Sequence, residues 1–503
     1  MIKALQHKNP GLLFWSTAIL FILLNTVMLL FEFYYISLIP AVLFFVVLAF
    51  VSLDRFLFTT VLLVPLSISL STLMEGLSFD LHLPTEPLLA GILFLYFLKY
   101  LYGHKLDIRI LRHPVTLAIY FQLAWMFITC ISSTDPLVSF KVMIARLWFV
   151  VGFYLLAAQI FKHARNMETY VWMYIIGFSV VIVYTLFRHS GYGFDDQQMA
   201  HRIMQPFYKD HTSYGAALAM LLPVLLALFQ LIKRENINTR FLMVLLIILF
   251  ALATLFSYTR AAWVSLVAGL GVWVILKMKI RFEYVLIAAV LLVAFVFSIR
   301  TQLMVELEQN RQDSSSDIAE HVQSISNISN DQSNLERINR WSCAYRMWKD
   351  KPFLGFGPGT YQFEYGSYQR SFEKTRISTD FGILGTAHSE YLLALSESGL
   401  LGMLSFIVIV CLTIFTGIRV YLTAEDRKIK ILSVAVLTGL ITYYVHGFLN
   451  NFLDTDKLSA LFWGYTGMLV AMDIYHRKKQ PETRSESVPA GELESQDGNI
   501  IED

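Results

Sequence analysis

Runs of about 20 predominantly apolar residues, the length a helix needs to cross the hydrocarbon layer of a bilayer, recur along almost the whole chain. They fall near 11–31, 35–52, 56–73, 86–103, 115–132, 142–161, 169–187, 214–233, 241–257, 260–278, 283–299, 400–421, 431–450 and 458–475. A chain in lipid must satisfy its own backbone polar groups, which leaves helices or closed barrels. Barrel strands are about half this length and alternate in polarity; these runs do neither. The expected fold class is all-α integral membrane, with about 14 transmembrane helices. Composition agrees: 16% of residues are charged, against roughly 25% in soluble proteins, so the surplus apolar side chains need a non-aqueous solvent.

Lys and Arg then set the orientation. With the N-terminus inside, alternate connections carry Arg55; Lys105, Arg109 and Arg112; Lys162 and Arg165; Lys233, Arg234 and Arg240; Lys277, Lys279 and Arg281; Arg427, Lys428 and Lys430. The tail adds Arg477, Lys478 and Lys479, whereas 32–34 and 74–85 hold no Lys or Arg and 133–141 holds only Lys141. Positive residues mark cytoplasmic loops, so both termini are expected inside. The first run lacks a small-residue cleavage site after it and reads as a span, not a removable signal.

The organisation that follows is helices 1–11 over 1–300, a large outer loop over 301–399, helices 12–14 over 400–476, and a disordered cytoplasmic tail over 477–503. Within the loop, 311–334 is rich in Ser, Asn, Gln and Asp and reads as flexible. Leu335, Ile338, Trp341, Tyr345 and Trp348 then recur at helical spacing. Pro352, Gly355, Gly357 and Gly359 punctuate a turn after them. Cys343 is the only thiol in this loop, so no disulfide closes within it, and no CxxC or Cys/His metal spacing occurs.

Chemistry-bearing residues concentrate on the outer side. His388 stands at the head of AHSEYLLALSESGLLG, with Tyr391, Leu392 and Leu395 on one stripe; Arg337, Arg340 and Arg346 stand in RINRWSCAYRMWKDKPFLGFGPGTY. Arg260 opens a run after FSYT, Arg146 lies deeper in its own run, and the loop from His201 to Pro223 offers Arg202, Lys209, Asp210 and His211. Each has a plain structural alternative: a helix-capping histidine, a snorkelling arginine, a solvated helix face. An arginine inside the membrane is nonetheless a functional candidate by default. Together, arginines and a histidine without a carboxylate cluster suit a large anionic ligand at the bilayer surface, because guanidinium forks grip phosphate oxygens and a neutral imidazole accepts a proton from a hydroxyl. No metal and no cofactor are expected from these residues, and no nucleic-acid partner.

At these positions the chain resembles the O-antigen ligase and O-antigen polymerase superfamily of membrane glycosyltransferases. TRAAW around Arg260, Arg337 with Trp341 and the Lys351-Pro352 to Gly357 turn, the His388 stretch, and His446 in VHGFLNNFLD follow one another in the family's order. The resemblance runs from about Arg202 to Trp463. Two departures stand out: Ser389 and Glu390 follow the histidine where the family often has Asn, and Asp210-His211-Thr212 stands where it often has Asp-Pro-Asn.

The resemblance implies a GT-C-like fold in the inner membrane, with the large, partly helical loop in the periplasm. It implies an inverting, metal-independent transfer of a glycan from a polyprenyl diphosphate to an acceptor sugar hydroxyl. In ligases the acceptor is the lipid A core of lipopolysaccharide; in polymerases it is another lipid-linked repeat. Mapped onto this chain, His388 is the general base, Arg202, Arg260 and Arg337 hold the diphosphate, and Arg146 is a further diphosphate contact. His211, Tyr391 and His446 are additional substrate-binding candidates. Ligase is favoured over polymerase and over protein O-glycosyltransferase. A transporter of lipid-linked sugars, the rival of another class, calls for inverted repeats or helices broken near the midplane, and the sequence suggests neither. An unperturbed histidine titrates at about pH 6.5 and a neighbouring diphosphate favours its protonated form, so transfer is expected to fall as pH drops through the pKa of His388, at or above that value.

Overall fold

The computed structural model describes residues 10–73, 81–103, 106–281, 332–374 and 385–477, with Ser378 and a few isolated positions between 283 and 298. The segment 311–331, most of the expected span 283–299 and the tail from 478 lie outside the described residues. The longer helices are α1 (Pro10–Leu30), α2 (Ile39–Val51), α3 (Leu53–Leu63), α4 (Thr85–Leu101), α5 (Pro114–Ile131) and α6 (Pro136–Ile160). They continue with α7 (Ala164–Ser190), α8 (His211–Leu231), α9 (Ile237–Phe256), α10 (Arg260–Lys277), α11 (Gln332–Asp350), α12 (Glu390–Thr423), α13 (Arg427–His446) and α14 (Asp456–Tyr475). Among the described residues eight are long and apolar enough to cross a membrane: α5 to α10, α12 and α13. The chain is therefore a mostly helical, multi-pass membrane protein; the expected count of about 14 spans is not established.

Two expected spans differ for physical reasons. The run 56–73 is not one helix: α3 stops before Pro65, whose ring cannot continue a helix past its first turn. The chain then forms a two-residue strand, β1 (Ile68–Ser69), antiparallel to β2 (His82–Leu83). The last run, α14, is buried from Asp456 to Asp473. It forms the axis of the bundle, so its polar residues face protein, not lipid. Asp456 is closed by Ser67 and Lys457, and Asp473 by Arg419, His113 and Arg477.

At the other extreme, α2 buries none of its residues and α1 presents Phe14, Leu20, Leu23 and Leu30 outward. Such apolar surface is expected where helices face lipid tails.

α12 carries the feature that positions the site. It begins at Glu390, not near 400, and is broken at Gly399 (φ 69°, ψ −171°). A break frees carbonyls that lipid cannot satisfy. Here the glycine-rich turn after α11 takes them: Phe356 N–H donates to Ser396 O (3.1 Å) and Gly357 N–H to Glu397 O (2.8 Å). Trp125 Nε1 on α5 donates to Ser398 O (2.8 Å), and Leu400 N–H reaches back to Pro352 O (3.0 Å). A Cβ at Gly355 would stand 2.4 Å from the Glu397 backbone, which explains why the turn needs glycine there. The turn is also pinned to the α5–α6 corner, where Thr134 N–H donates to Phe356 O (2.9 Å) and Ser139 Oγ to Pro358 O (2.8 Å).

The bundle has two chemically distinct ends. Tyr475 meets Asp107 (2.6 Å), Lys428 pairs with Glu168 and Ala424 bridges to Arg477. These are connections that charge alternation assigns to one side, and the structure gathers them together. His388, Arg337, Arg260 and the 446–454 turn gather at the other.

Candidate active site

The site grows from three helix starts. At the first, Asp210 caps α8, accepting from Ser213 N–H (2.8 Å) and the Thr212 hydroxyl (2.7 Å). Burial works to raise its carboxyl, but these hydrogen bonds hold it below the ordinary carboxylate range. At the second, Thr259 precedes Arg260, the first residue of α10, and its hydroxyl donates to His211 O (2.8 Å). The contact is so close that a Cβ at Gly215 would fall 2.7 Å from Thr259. The starts of α8 and α10 are thereby locked side by side, with the positive ends of both helix dipoles at one place.

The third start is that of α12. Ser389, not His388, is its cap, accepting from Leu392 N–H (3.4 Å). His388 is thus relieved of a capping role. It sits in the left-handed region (φ 48°), with its carbonyl accepting from Trp341 Nε1 (3.2 Å) and its N–H bonded to the Thr386 hydroxyl (3.3 Å). Arg340 Nη1 donates to Thr386 O (3.1 Å) while its Nε is paired with Glu336 (2.9 Å). The Thr386 hydroxyl also bonds Asn451. The backbone around His388 is clamped between α11 and the turn after α13.

Electrostatics tie the three starts into one group. The charge of Arg337 bears on His388, on His211 and on Arg260, and that of Arg260 on His201 and His211. Asp210 supplies the opposing negative charge, acting on Arg337 and His388. The rings of His201 and His211 stack at 3.9 Å. His388 is pushed down to about 3, by burial first and then by Arg340 and Arg337; Asp210 and a contact with the Asn450 amide act the other way. The expected titration near about 6.5 is therefore displaced: in the unliganded protein His388 is neutral across the working range, the state a general base requires.

Of the residues singled out from sequence, His388, Arg337, Arg260, His211 and His446 come together here. His446 ends α13, is 1% exposed, and meets Asn450 through Nε2 (3.1 Å). Arg202 is exposed beside His201, on which its charge acts. Arg146 belongs to a neighbouring group: it pairs with Asp454 (3.2 Å) and borders a cavity of ≈ 80 Å³ shared with Trp125, Glu390 and Glu397. Tyr391 packs between α12 and α13, its hydroxyl on Tyr444 O (3.1 Å) and its ring stacked 4.1 Å from Phe448. Arg346 is held by both oxygens of Glu373 (3.0 and 2.6 Å) and fixes the outer segment.

Asn450 was not legible as a site residue. Its signal was its place four residues after His446, across a glycine-containing turn. Among the described residues no three His, Cys, Asp or Glu side chains form a group that could hold a metal ion.

Residues 245–407 match the family model described as O-antigen ligase. This third of the chain contains Arg260, Arg337 and His388, and it supports the superfamily resemblance drawn from the motifs. No curated protein matches the chain. The family supports a ligase-like glycan transfer in general terms, with a lipid-linked glycan and an acceptor sugar as the classes of partner.

Proposed function

We infer that the protein transfers a glycan from a polyprenyl diphosphate carrier to a sugar hydroxyl at the outer face of the inner membrane, in a metal-independent, inverting reaction. The observation that carries this is the convergence of a neutral His388 with Arg337 and Arg260 at adjoining helix starts, inside the segment matching the O-antigen ligase family. His388 takes the proton of the acceptor hydroxyl as that oxygen attacks the anomeric carbon. The bond to the diphosphate breaks, and its charge grows on oxygens facing Arg260 and Arg337, where fixed positive charge is most effective. Arg202 stands where it can draw the diphosphate in. The lipid tail stays in the bilayer throughout.

The lipid A core is the acceptor we favour, with a lipid-linked repeat, as in a polymerase, next. Both termini are assigned to the cytoplasm, and with them a GT-C-like fold of about 14 spans. A transporter is disfavoured even though α12 is broken at Gly399, because the carbonyls at that break are taken by Phe356, Gly357 and Trp125 and do not line an open path.

The test is loss of the gene followed by electrophoresis of surface glycans, with complementation by His388→Ala. Bare lipid A core alongside intact free polymer supports the ligase; single repeats on the core reassign it to polymerase. Unchanged glycans overturn the reading. In purified protein, transfer should persist in excess chelator, and loss reversed by a divalent ion would overturn the metal-independent mechanism.

A further inference from the structure

The turn that caps the break in α12 also carries two large apolar side chains that lie open: Phe353 is 72% exposed and Leu354 36%. Their backbone is fitted to α12. Pro352 O accepts from Leu400 N–H (3.0 Å), and a Cβ at Gly399 would collide with Phe353 O. Directly beyond this contact Leu400, Leu401 and Leu404 are exposed on α12, the start of an apolar stripe that continues through Val408 and Phe415. Such a stripe on a membrane span faces lipid, and the apolar surface of the turn is continuous with it. On the other side of the turn, Trp348 Nε1 donates to Pro352 O (3.2 Å) and its ring lies 5.5 Å from that of the exposed Tyr345. Lys349 Nζ stands 4.8 Å from the Tyr345 ring. Aromatic rings beside a lysine, next to open apolar side chains, are the composition of a membrane–water boundary.

The depth agrees. From Leu400 to Thr423 α12 rises about 35 Å at about 1.5 Å per residue, slightly more than the roughly 30 Å hydrocarbon layer. Glu425, Asp426 and Arg427 follow at its far end. With those charges in water, the break at Gly399 falls at the opposite edge of the hydrocarbon. α5 marks the same level independently: Trp125, whose indole bonds Ser398 O, precedes the end of α5 at Ile131 by about 9 Å of helix.

We propose that Phe353 and Leu354 are an interfacial anchor that enters the lipid leaflet nearest His388, beside α12. The same turn is bonded to both sides of the break, so the anchor sets the depth of the segment from His388 to Ser398 relative to the bilayer surface. A donor whose lipid tail stays in the bilayer presents its diphosphate at one depth, and the anchor holds His388 level with it. This last step rests on the reading of the site as a transferase for lipid-linked glycans; the membrane contact does not.

The test uses the full-length protein in nanodiscs. Cys130 and Cys343 are buried and Cys411 is exposed, so Phe353→Cys is spin-labelled in a Cys411→Ser background. The nitroxide should be reached by oxygen and shielded from a water-soluble nickel chelate, as at the reference position Leu404→Cys. Ready access for the chelate places Phe353 in water and overturns the anchor. Shielding from both reagents means that protein covers the patch, a second copy included, and overturns it as well. In the functional arm, Phe353→Asp should lower transfer from a long-chain, membrane-embedded donor about 10–100-fold, the cost of displaced reacting groups. Phe353→Trp should stay within about twofold of wild type, because indole suits the same boundary. Equal losses in the two, or none in Phe353→Asp, overturn the depth-setting role. If Phe353→Asp does not accumulate, Leu354→Asn is measured in its place with the same expectation. Normal transfer by His388→Ala would overturn the general-base reading and leave the spin-label result standing, so the two failures are told apart.

Discussion

The two ends of this bundle use their charged side chains differently. At the end carrying the 107–113 and 424–428 connections, two carboxylates are closed by cations. Asp473 is met by Arg419, His113 and Arg477, and Asp107 is gripped through both oxygens by Arg109 (3.1 and 2.7 Å). The other end has its pairs too, Arg340 with Glu336 and Arg346 with Glu373, but there Arg337 and the histidines His201, His211, His388 and His446 also gather around the charge of Asp210, whose oxygen caps α8. Pairs of opposite charge hold helices together. Positive groups gathered at one place raise the local potential and favour an approaching anion.

That contrast can be broken at several points. The largest effect is expected from His388→Ala, which should cost roughly 10²–10⁴-fold in turnover, as removing a positioned base does, while protein level and donor binding stay near wild type. Asp473→Asn at the opposite end should do the reverse: lower the melting temperature, through a loss of about 1–3 kcal/mol, and leave turnover per folded molecule unchanged. A matching loss of specific turnover in both variants would erase the distinction between the two ends.

Arg337→Lys and Arg260→Lys come next, each expected to lose about 10²-fold in transfer although charge is kept, because an ammonium cannot reproduce the planar two-pronged contact of a guanidinium with phosphate oxygens. Retained transfer in either would show that charge alone suffices. The pH profile sharpens the comparison without mutation. A free-enzyme His388 at about 3 gives a kcat/KM that stays flat on the acid side as pH falls from 8 to 5, whereas kcat should show its limb at higher pH, since bound diphosphate favours the imidazolium. A kcat/KM limb near the ordinary histidine value, about 6.5, would mean that the free site is far wetter than its burial indicates. The smallest effect is that of Trp125→Phe, which orphans Ser398 O at the break in α12 and should cost about 1–3 kcal/mol of stability, with transfer lost only as stability is.

Apolar runs and the order of the motifs made the helical, multi-pass character and the core of the site legible, because both are written locally. His388, Arg260 and Arg337, the candidates that the structure brings together, each open or sit within a distinctive stretch. What was not legible depends on pairing over long distances. Arg146 is answered by Asp454, 308 residues away, so its destination could not be read from its neighbours. The partner of Tyr391, the Tyr444 carbonyl on another helix, is likewise out of reach of its local sequence. The break in α12 falls in the polar stretch Ser396-Glu397-Ser398-Gly399, but only the backbone angle at Gly399 and its distant partners distinguish a break from a polar helix face. Asn450 carries no motif of its own; its meaning comes from the two histidines it meets.

The capped break in α12 also bears on the order in which the protein can be made. Trp125 and the turn at 355–357 are synthesised before Ser396, Glu397 and Ser398 emerge, so every group that must receive those carbonyls is already present when the helix enters the membrane. The segment carrying His388 can therefore enter an existing socket and need not wait, half-satisfied, in lipid. A circular permutant that moved α12 ahead of α5 would invert this sequence of events, and it should be degraded during biogenesis although its finished form would make the same contacts.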